Sequence, residues 1–183
     1  MSSPYFERFL LVVGDQDTGK SAQLRSMFLD PRINYHRSEP IGSIPAAAHI
    51  QETYPLSYER SLYLRLTSPH EAGESLEEFL EKITNKTRAS SKRWCVATAL
   101  QINSENRMPD LQTTVRGILR RFSPERIRVC ILCPDRHGCS IEEPILLQLT
   151  RDLQRIDTCE VIMIDARNKR ANGLLLADFF DFT

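Results

Sequence analysis

An uninterrupted apolar run, Phe9-Leu10-Leu11-Val12-Val13, passes straight into Gly14-Asp15-Gln16-Asp17-Thr18-Gly19-Lys20-Ser21, and a helix-like segment follows from Ala22 to Leu29. No other stretch limits the possible folds as strongly. Five apolar residues closed by a glycine predict a central parallel strand covered on both faces. Leu24, Met27 and Phe28 recur at helical spacing, and Asp30-Pro31 ends the helix. Between strand and helix, two glycines let the backbone curl so that its N–H groups point inward, toward the unpaired donors of a helix start. A concave loop of amides suits a phosphate chain. Lys20 is placed to reach its outer phosphates, and the Ser21 hydroxyl offers the oxygen ligand that Mg²⁺ prefers. Asp15 and Asp17 bring two carboxylates into this loop, and repulsion from phosphate requires them to point outward or toward the metal.

With every fixed position of G-x-x-x-x-G-K-[ST] present between strand and helix, residues 9 to 29 resemble the Walker A segment of the P-loop NTPases. The resemblance implies that Gly14, Asp15, Gln16, Asp17, Thr18, Gly19, Lys20, Ser21 and Ala22 surround the phosphates of ATP or GTP. Lys20 is then catalytic, and Ser21 holds Mg²⁺. The GTPase branch would carry Asp-x-x-Gly after a following strand, where this chain reads Thr67-Ser68-Pro69-His70-Glu71-Ala72-Gly73. Its base-reading Asn-Lys-x-Asp is also missing, because Asn168-Lys169 is followed by Arg170-Ala171. Both departures favour ATP.

The remaining pattern is a series of strands and helices. Ser61 to Thr67, Trp94 to Ile102, Ile127 to Cys133 and Glu160 to Asp165 read as strands. Helices are expected over Glu74 to Ile83, from Pro109-Asp110 through Phe122, over Ile141 to Ile156 and over Gly173 to Phe182. The expectation is one domain over residues 1–183, an α/β fold with three layers (α/β/α) around a mainly parallel sheet of five or six strands. Between Asp30 and Arg60 periodicity is lost to Pro31, Pro40, Pro45 and Pro55, and Ile33 to His36 offers at most a short edge strand. A loop over 30–60 is expected to be mobile or functional, and the P-loop resemblance implies that this region senses a γ-phosphate, with Ser38, Ser43 and Thr53 as candidate contacts that no spacing tells apart.

A second acidic group is needed beside the metal. Asp135 follows an apolar strand directly, in the form of a Walker B carboxylate, and is assigned both a metal and a catalytic role; Asp165 ends a similar strand nearer the C-terminus. Asp135-Arg136-His137 also resembles the Asp-Arg-His motif of viral thymidine kinases, which implies a carboxylate and an arginine near substrate. His70 and Glu71 read either as site residues or as a solvated pair before a helix. Gln101 to Glu105 stand at the carboxyl end of a strand, where ligands gather in parallel sheets. Arg116, Arg120 and Arg121 form either a partner-binding or a solvated helix face, and Arg167 to Arg170 a contact to base or partner.

With 24 basic and 24 acidic residues the chain is formally neutral, which argues against a protein that coats nucleic acid by bulk charge and leaves room for a local basic patch. No apolar run nears the roughly 20 residues that cross a bilayer, so no membrane role and a cytoplasmic location are expected. Five cysteines, an odd number, are expected as reduced thiols. Cys130, Cys133, His137 and Cys139 are weighed as a zinc set, but Cys130 and Cys133 project to opposite faces of one strand. Three functions stay open: hydrolysis of ATP with Mg²⁺ that drives or switches a protein partner or larger assembly, a kinase for a nucleoside, nucleotide or small hydroxyl compound, and a nucleotide-binding scaffold with little turnover.

Overall fold

A computed structural model describes residues 4–34, 51–87 and 93–180. In chain order these form β1 (Tyr5–Val13), α1 (Lys20–Ser26) continued by a 3-10 turn (Met27–Leu29), α2 (Pro31–Asn34), β2 (Gln51–Pro55), β3 (Arg60–Arg65), α3 (Leu76–Lys86), β4 (Arg93–Leu100), α4 (Leu111–Phe122), β5 (Arg126–Leu132), α5 (Glu143–Gln154), β6 (Cys159–Ile164) and α6 (Lys169–Phe180). The strands form one sheet in the order β2-β3-β4-β1-β5-β6. All neighbours are parallel except β2 and β3.

β1 lies in the middle of the sheet because its side chains are apolar on both faces. Phe9, Leu11 and Val13 enter one core with Phe79 and Ile83 of α3, Val115 and Ile118 of α4, and Leu149 and Leu153 of α5. Leu10 and Val12 enter the other, with Leu24 of α1, Met27, Phe28, and Leu176, Ala177 and Phe180 of α6. Helices thus cover both faces of the sheet. Local chemistry sets their ends: Ser75 and Glu78 make a reciprocal capping box on α3, and the Asp110 carboxylate caps α4 by accepting from Thr113 N–H at 2.8 Å.

Two details differ from the sequence expectation. Ile33 lies in the short helix α2 with its side chain fully buried, so no strand begins there. Inside the stretch 30–60, β2 pairs antiparallel with β3 through a short turn, closed by Leu56 N–H and Ser57 N–H donating to Arg60 O at 2.9 and 3.1 Å. Alternation is weak in Gln51-Glu52-Thr53-Tyr54-Pro55, where only Tyr54 is buried, and a terminal proline is tolerated on an edge strand. Thr53 is exposed on that strand; Ser38 and Ser43 lie outside the described residues.

Candidate functional site

The loop between β1 and α1 stands at the carboxyl end of the sheet. Gly14 N–H donates to Leu100 O at 3.3 Å, which moors the loop to the end of β4. Thr18 Oγ donates to Asp15 O at 2.8 Å and closes the loop on itself. A Cβ on Gly14 would lie 2.5 Å from that hydroxyl oxygen, so glycine is required there by closeness. Gly19 is required by conformation, at φ 101°. Asp15, Gln16 and Asp17 are exposed, whereas Thr18 and Lys20 are buried.

Lys20 is 4% exposed, and its ammonium donates to the carbonyl of Asp15 while Glu71 Oε1 stands 3.6 Å away. Burial pushes the ammonium below the usual lysine range, opposed by the charges of Glu71, Asp15 and Asp17. The Ser21 hydroxyl donates to Leu66 O at 2.8 Å, just beyond β3. Arg136 closes the other side. Its N–H donates to Thr18 O at 3.1 Å, its side-chain carbons lie 3.3 to 3.7 Å from where a Gly19 Cβ would stand, and its Nη2 is 3.6 Å from Asp17 Oδ1. Asp17, Gly19, Lys20, Ser21, Ala22, Arg25, Glu71 and Arg136 surround one small cavity of about 160 Å³. Three cations and two carboxylates meet there.

Arg25 was not singled out by the sequence reading. Its spacing could have found it, since position i+4 from Ser21 on α1 lies on the same helical face. His70 and Glu71 divide: His70 is fully buried, and Glu71 stays partly exposed and faces Lys20. His70 therefore does not form a solvated pair. Its strand, β3, does not neighbour β1, because β4 lies between them. Gln101, at the end of β4, is buried with its Nε2 lacking a partner.

The Asp135 carboxylate is engaged by its own loop, accepting from His137 N–H at 2.8 Å and Cys139 N–H at 2.9 Å. Burial raises its pKa, but the amides of Cys139 and His137 outweigh this and hold it below the usual range. Asp135 lines a second cavity, of about 300 Å³, with Gly14, Asp15, Thr18, Ile102, Leu132, Ile141 and Ile145. Ile102, Asn103 and Ile145 also border a groove of about 490 Å³ between α4 and α5, floored by Leu111 and Leu149. Asp165, beyond the edge strand β6, is held down to about 2 by Arg167, which contacts it through Nε at 2.9 Å and through Nη2.

Cys95, Cys130 and Cys159 are buried free thiols, and burial pushes each of them up. Among the described residues, no group of three or more His, Cys, Asp or Glu side chains could hold a metal ion, so Cys130, Cys133, His137 and Cys139 are not gathered into one. Arg116, Arg120 and Arg121 are exposed on α4; the side chains of Lys169 and Arg170 lie outside the described residues. No described helix is long and apolar enough to cross a membrane. Compared with protein-family models, with curated proteins and with solved structures, the chain has no significant match.

Proposed function

We propose that the chain is a P-loop protein that binds a nucleoside triphosphate, ATP before GTP, with Mg²⁺, and that hydrolysis of the bound nucleotide drives or switches a protein partner. The observation that carries this reading is a buried lysine on the glycine loop at the carboxyl end of the central strand. β1 leads to a helix on one face of the sheet, and its neighbours β4 and β5 lead to helices on the other, which leaves the crevice where ligands of open α/β sheets bind. The Ser21 hydroxyl and the Glu71 carboxylate border one cavity and are hard oxygen donors, so the donor set suits Mg²⁺ completed by phosphate and water. When bound, the ion neutralises charge on the phosphoryl oxygens.

In this reading the loop amides hold the phosphate chain, and Lys20 exchanges the Asp15 carbonyl for phosphate oxygens. Ser21 gives up Leu66 O. Arg136, within reach of Asp17, adds positive charge where it spreads over the transferred group's three oxygens as water attacks. Asp135, as a metal-facing catalytic group, would have to surrender two amide donors; intact, it shapes the loop that presents Arg136.

Titration calorimetry with ATP and GTP, with and without Mg²⁺, tests the proposal. Micromolar binding that Lys20→Ala abolishes is the expected result. Unchanged binding in that variant, or none by the wild type up to millimolar nucleotide, overturns it.

One observation favours a second reading, phosphoryl transfer to a small acceptor. The Asp135 cavity touches the glycine loop at Gly14, Asp15 and Thr18 and shares Ile102, Asn103 and Ile145 with the groove between α4 and α5. Label passing from the γ-phosphate to an added nucleoside or alcohol, rather than to water, would choose it.

A further inference from the structure

The loop between β3 and α3 starts two strands away from β1, yet its tip reaches the phosphate loop. Its anchors explain how. Arg65, fully buried at the end of β3, donates from Nε to Thr67 O at 2.8 Å and from Nη1 to Glu74 at 2.7 Å; Lys82 of α3 binds the same carboxylate. His70 lies 3.2 Å from Pro109 O through Nε2, and since a carbonyl only accepts, Nε2 carries the proton. Nδ1 is then bare and accepts from Gln101 N–H at 3.4 Å and from the Ser68 hydroxyl at 3.2 Å. Asn106 donates to His70 O at 2.8 Å. Between these buried anchors Glu71 is held outward, with Oε1 3.6 Å from Lys20 Nζ, in the cavity that Ser21 borders.

We infer that Glu71 is the specificity-determining group that makes nucleotide binding here depend on Mg²⁺, an inference that rests on the nucleotide reading above. The argument is one of sign. Without the metal, a phosphate chain arriving at Lys20 competes with Glu71 for the same ammonium and meets a like charge a few ångströms away, so the carboxylate opposes binding. With the metal, Glu71 and the Ser21 hydroxyl supply the kind of oxygen that Mg²⁺ takes alongside phosphate, directly or through one of the waters it retains, so the same carboxylate favours binding. Of the acidic groups around the loop, Asp135 is engaged by amides, Asp165 by Arg167, Asp17 stands beside Arg136, and Asp15, exposed, meets Lys20 through its backbone carbonyl. Glu71 is paired with the very cation that a phosphate would claim.

The test is calorimetric binding of ATP in Mg²⁺ and in EDTA by the wild type, Glu71→Gln and Glu71→Asp, each confirmed as folded by circular dichroism. The wild type should prefer the magnesium complex about tenfold or more. Glu71→Gln, which keeps shape and loses charge, should bind metal-free ATP about tenfold more tightly and the magnesium complex more weakly, so that the two affinities converge within about threefold. Glu71→Asp should retain the preference. An undiminished preference in Glu71→Gln overturns the inference while the nucleotide reading stands, and so does a wild type indifferent to Mg²⁺. If no variant binds ATP under either condition, the nucleotide reading falls, and the role of Glu71 with it.

Discussion

His70 can do its work only while uncharged. Its Nδ1 accepts from an amide that cannot turn away, Gln101 N–H, and protonation would set two donors against each other inside a buried loop. Burial accordingly holds its pKa below the ordinary imidazole value of about 6.5, with the Lys20 charge acting the same way and Pro109 O, Glu105 and Glu71 opposing. When the unfolded chain takes up a proton that the folded one refuses, stability rises with pH across the interval between the two pKa values. The stability that His70 contributes is thus present above about 6.5 and lost as pH falls from there toward the depressed folded value. Urea midpoints from pH 7.5 down to 5 should drop more steeply for the wild type than for His70→Gln. The variant itself should be about 1–3 kcal/mol less stable at pH 7.5, through the unpaired partners left behind. Parallel pH profiles would refute this account. None of it was legible in the string His70-Glu71, because the partners Gln101, Asn106 and Pro109 lie 31 to 39 residues away. The Lys20 bond to the Asp15 carbonyl spans only five residues of the motif, whereas the Ser21 bond to Leu66 O spans 45 and was no more legible than the contacts of His70.

Among elements, the pairing of α1 with α6 keeps the glycine loop in place. Gly173 of α6 lies against the backbone of Ser26, so closely that an added Cβ would fall on that carbonyl far inside van der Waals contact. Gln23 of α1 donates to Ala166 O at 2.7 Å, and Arg32 of α2 bridges Asp30 and Asp178 of α6. Alanine at a helical glycine normally adds about 1 kcal/mol of stability. Here the clash is with backbone that α1 cannot yield without moving, and overpacking of this kind costs about 1–3 kcal/mol. Gly173→Ala should therefore lower the urea midpoint and weaken nucleotide binding together, since α1 carries Lys20 and Ser21. A variant more stable than the wild type would show that the helices separate freely. The sequence foretold that a C-terminal helix exists, but periodicity says which face of a helix is apolar and not which helix it meets.

For the molecule as a whole, the strand series could be read from apolar runs, but the order β2-β3-β4-β1-β5-β6 could not, because pairing is settled by which faces can be buried together. That order decides what surrounds the glycine loop. Leu100 at the end of β1's neighbour β4, Leu66 beyond β3, Arg136 beyond β5 and Ala166 beyond β6 each bond the loop or its helix. The site is consequently tied to the carboxyl ends of five strands, and global unfolding must dissolve it. A ligand that binds only the folded chain stabilises it by about 2.7 kcal/mol at a hundred times its dissociation constant. For a chain of 183 residues this corresponds to a rise in Tm of about 5–10 °C. Magnesium and ATP should produce that rise in the wild type and little of it in Lys20→Ala. Hydrogen exchange should locate the added protection at the carboxyl ends of β1 and β3 to β6 and leave the turn around the exposed Tyr58, at the amino end of β3, unchanged. Protection confined to residues 14–21, with no shift in Tm, would mean that the loop opens and closes independently of the sheet, and that nucleotide has no mechanical hold on the rest of the fold.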